Sequence, residues 1–95
     1  KRIDIAQIAR LLVQESSARL AKETQITYEV DEDVLNYLID NGGFEPTHGA
    51  RPMRRAVQRI CETAVAQSIL KGEAGSGDVL KLSVAEGALV VTLAD

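Results

Sequence analysis

Gly49-Ala50-Arg51-Pro52-Met53-Arg54-Arg55-Ala56-Val57-Gln58-Arg59-Ile60-Cys61-Glu62-Thr63-Ala64-Val65-Ala66-Gln67-Ser68-Ile69-Leu70 is the stretch that organises the 95-residue chain. Its apolar residues Met53, Ala56, Val57, Ile60, Cys61, Ala64, Val65 and Ile69 follow the i, i+3, i+4 spacing of a helix with one buried face. Pro52 suits the first helical position, where its missing N–H forfeits no intrahelical bond, and Lys71-Gly72 supplies the stop. A helix so one-sided needs a partner surface, and the flanking sequence offers one.

Upstream, Ile5, Ile8, Ala9, Leu12 and Val13 recur at helical spacing from Arg2 to about Lys22, which predicts a long amphipathic helix. Ile26, Tyr28 and Val30 then alternate with Thr27 and Glu29 as in a half-buried strand. Asp31 is placed to cap a short second helix, with Glu32 and Asp33 in its first turn, Val34, Leu35, Leu38 and Ile39 as its apolar stripe, and Asn41-Gly42-Gly43 to end it. Phe44 to Ala50 reads as an ordered loop. Downstream of a Gly75-Ser76-Gly77 turn, Leu80, Leu82, Val84 and Leu89, Val91, Leu93 alternate on either side of Ala85-Glu86-Gly87-Ala88, a β-hairpin pattern. The expected architecture is a single α+β domain over residues 1–95, with three helices packed on a small three-stranded sheet that ends in the hairpin.

Composition narrows the function. With 45% hydrophobic and 26% charged residues the chain has material for an ordinary core. It contains neither an apolar run of ~20 residues nor a signal-peptide pattern, so neither membrane nor secreted placement is expected. One cysteine, Cys61, and one histidine, His48, make neither an internal disulfide nor a four-ligand zinc site, and no metal is expected. A net charge of -3, with only Phe44, Tyr28 and Tyr37 as aromatics, speaks against a dedicated nucleic-acid binder. No catalytic triad, paired acid and base or phosphate-binding loop is visible, and the chain is short for a complete nucleotide-hydrolysing enzyme. Any such role would be that of a part.

One local rule is broken. Arg51, Arg54, Arg55 and Arg59 put four of the eleven basic residues into nine positions at a helix start, where the backbone already carries positive partial charge. A phosphate would compensate, since helix starts and guanidinium groups both bind it well. The alternative is that these arginines pair with acidic neighbours such as Asp40, Glu45 and Glu62, or simply point into water. His48 reads as a surface or hydrogen-bonded loop residue, Cys61 as a small buried hydrophobe, and Asp31, Glu32 and Asp33 as helix-capping groups rather than metal ligands.

The segment from Gly43-Phe44-Glu45-Pro46-Thr47-His48 through Gly49-Ala50-Arg51-Pro52 to Arg59 resembles the signature near the C-terminal end of Clp-type AAA+ unfoldases. The likeness covers nearly the whole chain in order of elements, and the Ala66 to Glu73 segment leans toward the ClpB branch. It implies the C-terminal small, or lid, domain of the second ATPase module. Arg51 would be the sensor-2 arginine reaching the phosphates of ATP or ADP, with Gly49 and Ala50 letting the backbone approach the nucleotide. Arg54, Arg55 and Arg59 would be candidate subunit-contact or solvent-facing residues. The nucleotide and its Mg ion would be held mainly by a large domain upstream, so no activity is expected of the chain alone. The parent would work as a homohexamer that unfolds or disaggregates protein, or feeds a Clp peptidase, in the cytoplasm or an organellar matrix or stroma. No nucleic-acid or membrane partner is implied. Three departures bear on geometry: Glu62-Thr63-Ala64-Val65 lacks the family's frequent Asn-Pro pair, His48 replaces an aromatic or apolar residue, and Gly42-Gly43 adds a residue. The alternative is a free-standing module binding nucleic acid or phosphate through the Arg51 to Arg59 helix.

Overall fold

In the computed structural model, which describes residues 2–94, the organising helix α3 runs in three contiguous segments: an α-helical start (Met53–Ala56), a wider π-helical stretch (Val57–Glu62) and an α-helical remainder (Thr63–Leu70). Backbone angles stay helical across both junctions, so the helix does not kink. Preceding it are α1 (Arg2–Thr24), β1 (Thr27–Val30) and α2 (Glu32–Leu38), whose last turn opens into a wide coil over Ile39–Gly43; following it are β2 (Val79–Ala85) and β3 (Ala88–Leu93). Asp31 caps α2 as its sequence predicts, its side chain accepting the Val34 N–H at 3.1 Å.

The strands form one mixed sheet in the order β1-β2-β3. β1 lies parallel to β2, with Tyr28 opposite Leu80 and Val30 opposite Leu82, and β2 turns into antiparallel β3, with Leu82 opposite Val91. The hairpin turn has positive φ at both Glu86 (54°) and Gly87 (79°), the two-residue geometry that matches strand twist. Helices and sheet enclose a core that includes Ala9, Tyr28, Val34, Leu35, Leu38, Met53, Val57, Cys61, Val65, Leu80 and Leu82. No helix among the described residues is long and apolar enough to cross a membrane.

One expectation about the core needs correction. Ile8 is 41% exposed, because α1 turns Ala9, Val13 and Ser16 inward and leaves Ile8 off to the side. In place of further apolar residues the core takes in Ser16, Ser17 and Ser68. Burying serines is unfavourable unless they are bonded, and both α1 serines are. Ser17 accepts the Tyr28 N–H at 2.9 Å, while Ser16 accepts the Tyr28 hydroxyl at 2.6 Å and donates to Glu62 at 2.5 Å. Arg19 donates to the same carboxylate at 2.7 Å. The relay ties α1, β1 and α3 together with no buried side-chain N or O left unpartnered among the described residues.

Gly42 and Gly43 have different reasons. Gly42 sits at φ +116°, a conformation side chains resist, whereas Gly43 is pressed against the start of α3. A Cβ at Gly43 would lie 2.5 Å from the Met53 sulfur and 2.6 Å from the Leu38 carbonyl oxygen. Gly43→Ala is therefore expected to lower unfolding stability by about 2 kcal/mol or more in urea titrations.

Burial suppresses the ionisation of two core groups. The Cys61 thiol is pushed up to about 12, chiefly by desolvation and secondarily by the Glu62 carboxylate, and the Tyr28 phenol is raised by the same desolvation. Both are harder to deprotonate folded than unfolded, so stability is constant below their ordinary values of ~8.5 and ~10 and falls as pH rises above them. The urea midpoint is expected to drop between pH 8 and pH 11, and Cys61→Ala to make that drop shallower. Thiol-reactive dye is expected to label Cys61 rapidly only once urea unfolds the chain.

Candidate functional site

The arginine cluster is sorted by its surroundings. Arg54 pairs with Glu15 of α1 at 3.1 Å, and Arg59 donates to the Asn41 carbonyl at 2.7 Å, satisfying one of the oxygens exposed where α2 unwinds. Arg59 is thus engaged within the chain, lying directly over Gly42, where a Cβ would meet its guanidinium at 2.7 Å. Arg51 and Arg55 have no side-chain hydrogen bond or ion pair among the described residues.

The acidic residues suited to neutralise the cluster are committed elsewhere. Asp40 pairs with Arg2 at 3.0 Å, Glu45 with His48, and Glu62 with Arg19. Pairing with an acidic neighbour thus accounts for Arg54, through Glu15, while Asp40, Glu45 and Glu62 serve other partners. Two guanidinium groups, Arg51 in the turn before α3 and Arg55 in its first turn, line one groove beside a positive helix end, where like charge is unfavourable.

The loop before α3 fixes where these groups point. Glu45 and Gly49 bond to each other through their backbones, the Glu45 N–H donating to the Gly49 carbonyl at 2.9 Å and the Gly49 N–H to the Glu45 carbonyl at 2.6 Å. Pro46, Thr47 and His48 form the tight turn between them, and Gly49 leaves it at φ +64°. His48 Nδ1 and Glu45 Oε1 meet across this turn. The chain then passes Ala50 and Arg51 into Pro52, which sits one residue before the first α-helical residue, Met53, rather than within the helix. Met53 is wholly buried and anchors the turn to the core.

Between the turn and the helix start lies an open groove of about 470 Å³, lined by Glu45, His48, Arg51, Pro52, Arg54, Arg55 and Gln58. Both unpaired arginines line it, while Arg59 lies outside its lining. Gly49 borders no atom within 4 Å of where a Cβ would project, and Ala50 is half-buried beside it. No cluster of three or more His, Cys, Asp or Glu among the described residues is placed to hold a metal ion. The groove suits a polyanion presented to it from outside, with guanidinium donors on the helix side.

A sequence profile for the C-terminal, D2-small domain of ClpB protein matches residues 1–82. The chain belongs to this family, that of the C-terminal small domain of Clp-type ATPases. Chaperone protein ClpB 1 of Synechococcus elongatus is 33% identical over 86 residues, which are 90% of this chain and 10% of that protein. An ATP-dependent Clp protease ATP-binding subunit ClpA homolog of Trieres chinensis is 41% identical over 80 residues, 84% of this chain and 9% of its own length. Chaperone protein ClpC2, chloroplastic, of Oryza sativa subsp. japonica is 35% identical over 91 residues, 95% of this chain and 10% of its length. The D2-small chain thus spans about a tenth of the curated relatives it matches. The three-helix, three-stranded α+β architecture expected from sequence is the one this D2-small domain has.

Of the residues that the sequence singles out, Arg51, Arg54 and Arg55 line the groove, whereas Gly49, Ala50 and Arg59 are not among its lining residues. Sequence reasoning did not find Gln58 or Glu45 as groove residues, although both fall within the quoted signature, nor the Arg59 bond to Asn41. Helical spacing from Arg51 and Arg55 to Gln58 was the available signal. The D2-small fold should distinguish the arginines by stability. Arg51→Ala and Arg55→Ala are expected to change unfolding free energy by less than about 0.5 kcal/mol, and Arg59→Ala to cost about 1 kcal/mol, read by urea denaturation.

Proposed function

We propose that this domain is the nucleotide-sensing lid of the second ATPase module of a Clp-type unfoldase, and that Arg51 is its sensor-2 arginine. The carrying observation is that Arg51 lines an open groove with no side-chain partner among the described residues, while Asp40, Glu45 and Glu62 are bonded elsewhere. Two unpaired guanidinium groups fit a phosphate, and the described residues offer no cluster for Mg, which would be held by residues outside this chain.

Bound ATP supplies a γ-phosphate whose charge is lost to the lid on hydrolysis. Arg51 would hold that group through charge-assisted hydrogen bonds and so bias the angle between the lid and the upstream large domain. The turn from Glu45 to Gly49 and the buried Met53 would keep the arginine's backbone rigid, so that the guanidinium contact moves the domain as one body. Gly49 and Ala50 would admit close approach of the nucleotide. Arg54 sits at the groove edge, where a neighbouring subunit of a homohexamer would meet it. Through the parent, the domain would serve ATP-driven unfolding or disaggregation of protein, or delivery to a Clp peptidase, in the cytoplasm or an organellar matrix or stroma.

In the full-length parent, Arg51→Ala is expected to lower ATP turnover roughly ten- to a hundredfold, the worth of one charged hydrogen-bond contact of ~1.5–3 kcal/mol, without changing the melting temperature of the 95-residue domain. Unchanged turnover would reject the sensor role. Steady-state ATP hydrolysis by the purified domain itself would reject its reading as a lid.

A further inference from the structure

We propose that Arg55 is a second phosphate ligand of the same groove, acting beside Arg51 on one polyphosphate; this rests on the lid reading above. Arg51 lies in the turn that leads into α3 and Arg55 in the first turn of the helix, and both side chains line the same groove. Both line the groove of about 470 Å³ and both lack a side-chain partner among the described residues. The other two arginines of the cluster show what ordinary surface placement looks like in this fold. Arg54 is neutralised by Glu15 and Arg59 is spent on the Asn41 carbonyl. The one carboxylate lining the groove, Glu45, is engaged by His48, so it does not reach across to either free guanidinium.

A single phosphate satisfies one bidentate guanidinium, and two such forks on neighbouring turns suit adjacent phosphates of a chain. Arg51 precedes the helix and Arg55 lies within its first turn, so the two guanidinium groups come to the groove from different backbone positions. A nucleoside triphosphate or diphosphate presents charged oxygens on more than one phosphate, enough for two separate guanidinium donors. The chemistry assigned to Arg55 is binding and orientation, with no bond made or broken by it.

The test uses the full-length hexamer and fluorescent-nucleotide displacement to read Kd for ATP and for ADP. Arg55→Ala is expected to raise the ATP Kd about tenfold, Arg55→Lys to recover part of the loss, and Arg10→Ala, which removes a cation paired with Glu32 away from the groove, to leave it within twofold. Combining Arg51→Ala with Arg55→Ala is expected to weaken ATP more than either change alone. Sedimentation of each variant accompanies the binding data. If Arg51→Ala weakens ATP and Arg55→Ala does not, the second ligand is rejected and the sensor reading stands. If neither weakens ATP, both are rejected. If Arg55→Ala leaves the Kd unchanged but loosens the hexamer, Arg55 meets a carboxylate of a neighbouring subunit and the proposal is overturned.

Discussion

The close approach of Gly43 to Met53 is the constraint on which the site depends. Because no side chain separates them, the backbone leaving α2 lies against the buried start of α3, with the Leu38 carbonyl and the Met53 sulfur filling the space a Cβ would need. The loop between them therefore has both ends fixed within one core contact. Its short turn from Glu45 to Gly49 is closed by its own backbone bonds, and Pro52 restricts the last step before the helix. The arginines inherit their positions from this chain of restraints rather than from bonds of their own.

A second set of contacts holds the far end of the same helix. The hydroxyl relay from Tyr28 through Ser16 to Glu62, completed by Arg19, joins α1 and β1 to α3 at the end of its π-helical stretch. Burial of Tyr28 and Cys61 around it excludes water. The polar relay and the apolar stripe act on one element from two sides, and among the described residues Arg54 is the one groove arginine with an ion pair, to Glu15.

Much of this was legible in the sequence where a local period carries the information. The stripe from Met53 to Ile69, the alternation in β2 and β3 and the Asp31 cap are each decided by residues within a few positions of one another. What escaped was set by partners distant in the chain. Ser16 is buried because Tyr28 and Glu62 bond it, Arg54 is neutralised from 39 residues away, and Arg59 closes a helix end 18 residues back. Ile8 misled because its position on α1 is marginal to the inward stripe, and apolar character alone does not distinguish the margin from the centre. The arginine cluster was visible as an anomaly, but which two members stay unpaired is a property of the tertiary fold.

The parallel pairing of β1 with β2 has a consequence for the order in which the molecule is made. Tyr28 and Leu80, opposite each other in the sheet, are separated by more than half of the chain. During synthesis α1, β1, α2 and α3 emerge before the strand that completes their core, and their apolar faces must wait for Leu80 and Leu82 to clear the ribosome. The sheet side of the core is thus completed by residues far along the chain, whereas the turn and helix start that line the groove are held by contacts among earlier elements.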